Sequence, residues 1–146
     1  MFLSLLIGFP IMLFCLLLQA VFLALCLRQY VRFRHAEQSH DSLASNTLLL
    51  GLVMLVMLMG NFVQMAIWAA LFQYLGEFDD FETALYFSGV NFATLGYGDI
   101  VMTDKWRLLG PLEAANGILM FGVSTAVLTA AVMDIIKQAK DRRHGG

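Results

Sequence analysis

Three long apolar stretches limit what this chain can fold into: residues 2–27, about 48–75 and about 108–136. At 1.5 Å per residue the last two reach roughly 42 Å as helices, beyond a hydrocarbon core of about 30 Å, so both are expected to tilt or project past it. With 60% of residues hydrophobic and only 14% charged, the 146-residue chain keeps little material for a water-exposed core once three spans are counted. One domain in a lipid bilayer is the architecture this allows. Pro10 falls inside the first stretch and offers two readings: it opens the helix at its first turn, or it kinks a longer one. The stretch does not read as a cleaved leader, for it lacks a basic start, is too long, and meets no small-residue site after Leu27.

Lysine and arginine set the expected orientation. Arg28, Arg32 and Arg34 follow the first stretch; Lys137, Lys140, Arg142 and Arg143 follow the third; only Lys105 and Arg107 lie between the second and third. Basic residues mark the cytoplasmic side, which puts the N-terminus outside and the C-terminus in the cytoplasm of a cell membrane, plasma or bacterial inner. Trp106 and Tyr74 are placed for an outer aromatic belt. Cys15 and Cys26 are about 16 Å apart along a helix, too far for a disulfide, and read as small buried residues. Gln19, Asn61 and Gln64 lie at mid-membrane depth, where amides need partners; Gln19 is expected to bond Asn61 or Gln64.

Between the second and third stretches, residues 81–92 form a plausible short helix, with Asp80 as N-cap and Glu82 in the first turn. Twelve residues give about 18 Å, enough to dip to mid-membrane and stop, its C-terminal dipole favouring a cation there. Then comes Thr94-Leu95-Gly96-Tyr97-Gly98-Asp99. Gly96 and Gly98 can take backbone angles closed to other residues and let successive carbonyls point one way. A row of bare carbonyls at membrane depth is tolerable only in protein or along a watery path.

This string resembles the selectivity filter of the potassium channel family, with Leu95 a conservative variant, and residues 48–136 resemble that family's pore domain. Tyr86-Phe87-Ser88 is similar to the aromatic start of its pore helix, and residues 117–122 to the inner-helix segment that bears its hinge glycine. The resemblance implies an all-α integral membrane protein: three transmembrane helices, a re-entrant pore helix and a filter loop, assembled as a homotetramer. It divides the chain into an extra N-terminal helix and linker (1–46), a pore domain (47–136) and a short cytoplasmic tail (137–146). Within the pore domain lie an outer helix (48–75), a pore helix (81–92), a filter (94–99) and an inner helix (108–136). Carbonyls of Thr94, Leu95, Gly96 and Tyr97, with the Thr94 hydroxyl, would hold K+ as the permeant ion, Gly98 completing the filter and no cofactor being needed. Asp99 would stand at the outer mouth, Tyr86 and Phe87 would support Tyr97, and Gly117 and Gly122 are hinge candidates. Val90 stands where some bacterial members carry an acid behind the filter, and Ala93 where a second threonine is common.

Plainer readings attach to several residues. Gly117 and Gly122 also permit close helix packing. Asn116 is expected to bond a neighbouring helix, Asp134 to mark a solvated helix end, and Glu113 to be a dipole-stabilised acid near the outer surface. The first helix lacks the spaced arginines of a voltage sensor. No set of side chains at membrane depth suits an enzyme, nothing points to nucleic acid, and the three isolated histidines do not suggest a metal site. The partners expected are the bilayer, three further copies and a possible regulatory subunit. The expected function is a passive potassium-selective channel, set against a weakly selective cation channel or a non-conducting accessory subunit.

Overall fold

The computed structural model describes residues 2–36 and 43–144, and among them every regular element is a helix. These are α1 (Phe2–Ala36), α2 (Leu43–Tyr74), α3 (Phe81–Phe92) and α4 (Leu109–His144). Three stretches are long and apolar enough to cross a bilayer: Phe2–Arg32, Ala44–Tyr74 and Leu109–Lys137. The chain is therefore a multi-pass membrane protein. Helix α1 runs on through Pro10, so the first-turn reading of that proline does not hold; only the bond its missing N–H would have given to the Leu6 carbonyl is lost. Helices α2 and α4 extend beyond the apolar runs, starting at Leu43 and ending at His144. Backbone bonding continues into polar sequence that an apolar pattern cannot mark. The linker expected over 34–46 lies partly outside the described residues, as do 145 and 146.

Helices α1 and α4 run in the same direction with α2 antiparallel to both. At one end the Ser4 hydroxyl donates to the Lys105 carbonyl at 3.2 Å. At the other, the Tyr30 hydroxyl donates to the Asp134 carboxylate. Asp134 is thus a half-buried acceptor and not simply a solvated helix end.

Lipid offers a buried amide no water, so these helices must supply partners to one another. The Gln64 amide donates to Gln19 Oε1 at 2.7 Å, and the Asn116 amide donates to Gln64 Oε1 at 3.2 Å. All three residues are buried, and the chain of bonds joins α1 to α2 to α4. Of the two partners the sequence offered Gln19, Gln64 is the one used. Asn116 bonds a neighbouring helix, as its position in an apolar stretch required.

Replacing Gln19 with Leu leaves the Gln64 amide without its acceptor. The expected loss is about 0.5–1.5 kcal/mol in a thermal melt of the purified protein in detergent. An unchanged melt would show that the bond contributes nothing.

Candidate functional site

Twelve residues of α3 could not stay helical alone. Two caps and an aromatic contact hold them. Asp80, with extended backbone angles, accepts the Thr83 N–H at 2.7 Å and the Thr83 hydroxyl at 2.8 Å and so caps the helix. The Thr83 N–H bond, with help from its hydroxyl, holds the Asp80 carboxyl below the usual carboxylate range. Phe87 then packs between Phe72 and Phe78, at centroid separations of 5.5 and 5.0 Å. Such ring pairs add about 0.5–1.5 kcal/mol each beyond their burial.

The C-terminal end closes more unusually. The Leu95 N–H reaches back to the Val90 carbonyl and the Thr94 N–H to the Asn91 carbonyl, both at 2.8 Å. That pair of bonds is a Schellman closure, which needs a left-handed residue after the cap, usually glycine. Here the residue is Thr94, with φ 58°, the one non-glycine of positive φ among the described residues. A β-branched side chain in this region costs about 1–2 kcal/mol. Strain of this kind persists where surroundings over-determine it, commonly at functional sites.

Gly96 and Gly98 follow with φ 60° and 74°, while Leu95 and Tyr97 between them are not positive. Positive φ thus recurs at every second residue from 94 to 98. Backbone that alternates in handedness points successive peptide groups to the same side. All six residues from Thr94 to Asp99 are exposed. From Leu95 to Gly98 the carbonyls stand bare, the two closing bonds engaging only the Thr94 and Leu95 N–H groups.

Anchors fix both flanks. Tyr86, on α3, donates its hydroxyl to Asp99 Oδ2 at 2.6 Å. That bond holds the Asp99 carboxyl below its usual range and pushes the Tyr86 phenol up. Tyr97 and Tyr86 border one hollow beside Leu95, whereas Phe87 lies behind the loop, bordering a second cavity with Gly96 and Gly98. Beyond the loop, Thr103 is clasped by Glu77, its N–H donating to Oε2 at 2.7 Å and its hydroxyl to Oε1 at 2.6 Å. Trp106 is buried in the core and does not line an outer belt, while Tyr74 is 88% exposed.

Helix α4 backs the end of α3. A Cβ on Gly117 would lie 2.0 Å from the Phe92 carbonyl oxygen, so the glycine is required for that approach. Gly122 has no neighbour within 4 Å and carries no such demand. Glu113, in the second turn of α4, is fully buried against the Ser88 hydroxyl, so it is a covered acid and not one bathed in solvent. Sequence reasoning gave Ser88 no role; the only signal was an acid inside an apolar run opposite a hydroxyl on a short helix. Among the described residues no three His, Cys, Asp or Glu side chains gather to hold a metal ion. The oxygens that the exposed loop offers a cation belong to the backbone, the Thr94 hydroxyl and Asp99.

Two outcomes follow from this packing. Gly117→Ala should lower the detergent melt by about 1–3 kcal/mol or prevent folding, while Gly122→Ala should leave it within about 0.5 kcal/mol. Tyr86→Phe removes the bond that favours ionised Asp99. The stabilisation from that bond is present above the ordinary carboxylate range and fades as pH falls through the lowered value of Asp99. The variant should therefore titrate Asp99 at higher pH than the parent, followed by the pH dependence of current or by carboxyl NMR. An unshifted titration would show that Tyr86 does not govern Asp99.

No curated protein and no solved structure matches the chain. A family model described as ion channel matches residues 62–134, half of the chain, from the C-terminal part of α2 through α3 and the exposed loop and well into α4. The chain belongs to this ion channel family.

Proposed function

We infer that the protein is a potassium-selective channel in which four copies surround one axis and present residues 94–98 to it. The observation that carries this reading is the alternation of positive φ at Thr94, Gly96 and Gly98 in a fully exposed segment. Peptide groups so turned present a file of carbonyl oxygens, and lipid cannot solvate them. Around a four-fold axis they become stacked oxygen cages that replace the water shell of a dehydrated cation. The ligands are the carbonyls of Thr94, Leu95, Gly96 and Tyr97 with the Thr94 hydroxyl.

The surrounding residues fit that task. Asp99, kept ionised by Tyr86, raises the local cation concentration at the outer mouth, together with Glu77, Asp79, Asp80 and Glu82 on the same side. The C-terminal dipole of α3 points partial negative charge toward the ions. The N-terminus is outside and the C-terminus cytoplasmic, which the common direction of α1 and α4 supports together with the basic residues after each. Conduction is passive: neither an enzymatic step nor a bound cofactor enters. Gly117 permits the α3 approach, and bending of α4 there would open the inner end.

Bi-ionic reversal potentials in planar bilayers, potassium against sodium, test the reading. The expected result is a strong shift favouring potassium that is abolished by Gly96→Ala, whose added Cβ cannot keep φ at 60° without strain. Current without discrimination would replace it with a weakly selective cation pore in which Leu95 and Ala93 loosen the filter. No tetramer and no current would point to an accessory subunit.

A further inference from the structure

Glu113 is the one fully buried acid among the described residues, and it lies within the membrane-spanning part of α4. Its Oε1 contacts the Ser88 hydroxyl, and its Oε2 has no partner. Ser88 is itself fully buried, and its hydroxyl also lies 2.8 Å from the Met65 carbonyl. Helices α2, α3 and α4 therefore meet at one hydroxyl. No Lys, Arg or His occurs in α2 or α3, or in α4 before Lys137. A carboxylate at Glu113 would be a buried charge without a counter-charge, an arrangement proteins avoid by neutralising the group. The Cys15 thiol of α1 is the ionisable group beside it.

Counting protons settles the bonding. A serine hydroxyl has a single proton to give, and a carbonyl can only accept. Both contacts of Ser88 are complete only if Ser88 donates to Met65 and receives a proton from Glu113. The geometry points to Glu113 as a neutral carboxylic acid that donates to Ser88 and so pins α3 against α2 and α4. It is a positioning residue for the loop that follows. Ser88 lies two and three residues before Val90 and Asn91, whose carbonyls close the helix onto Leu95 and Thr94. The pin thus fixes the height and rotation of α3 at which Thr94 is forced left-handed. Gly117 against Phe92 makes the same contact one turn further along α4. The positioning role rests on reading residues 94–98 as the ion path; the place of the proton does not.

Infrared spectra of the full-length protein in lipid, with Glu113→Gln and Ser88→Ala beside it, test the proton. A carboxylic-acid carbonyl band is expected at neutral pH, missing in Glu113→Gln and shifted in Ser88→Ala. Absence of the band from the parent protein, or indifference to Ser88→Ala, overturns the assignment. Reversal potentials and open times test the positioning. Glu113→Gln keeps a donor for Ser88 and should retain potassium selectivity, whereas Glu113→Leu should lose selectivity or collapse the open time. A Glu113→Leu protein that matches the parent in both overturns the positioning role. A parent protein that conducts without selectivity overturns the channel reading, while the infrared comparison still decides where the proton sits.

Discussion

Peptide carbonyls at membrane depth need a partner, and the other features of this protein arrange how six residues escape that rule. Within the spans of α1, α2 and α4 the backbone groups are satisfied inside their own helices, the Leu6 carbonyl opposite Pro10 excepted, which is why such helices can face lipid. Residues 94–99 are neither helical nor covered. A single chain leaves them bare, and lipid would not accept them. A shared aqueous axis would, and this is why the oligomer and the ion path are one hypothesis and not two.

The loop owes its shape to how α3 starts and stops. Asp80 fixes the first turn, and Phe87 against Phe72 and Phe78 fixes the axis. The closing bonds from Thr94 and Leu95 then engage the Asn91 and Val90 carbonyls and oblige Thr94 to turn left-handed. From there Gly96 and Gly98 continue the alternation at no steric cost. Tyr86 and Glu77 hold the segment beyond it through Asp99 and Thr103. Helix α1 takes no part in the loop, yet it is bonded at three levels: Ser4 to Lys105, Gln19 through Gln64 to Asn116, and Tyr30 to Asp134. It is thereby tied to α4 near both ends and through α2 at mid-depth.

Much of this was legible in the residues. Asp80 and Glu82 announced where α3 begins, because a cap is a local chemical event. Gln19 announced that it needed an amide partner and narrowed it to Asn61 or Gln64, because an amide in lipid has few choices; the structure selects Gln64. The glycines at 96 and 98 announced positive φ. Less legible was anything set by packing between distant segments. Glu113 read as a dipole-stabilised acid near the helix start, and its burial was hidden because its partner Ser88 is 25 residues away on another helix. Asp134 read as a solvated end because Tyr30, 104 residues distant, is what covers it. Gly117 read as a hinge or a packing site, and only the position of the Phe92 carbonyl shows that packing alone requires glycine there. Pro10 was ambiguous because the residues before it are as apolar as those after, leaving no cap to mark a start.

The central claim is that carbonyls from residues 94–97 of four chains face one another around an ion. Anomalous diffraction from crystals of the purified protein grown in rubidium measures this directly. The expected result is a line of anomalous peaks on a four-fold axis, each framed by oxygens of Thr94, Leu95, Gly96 or Tyr97. An assembly without that axis, or a four-fold axis with no ion between those carbonyls, would contradict it.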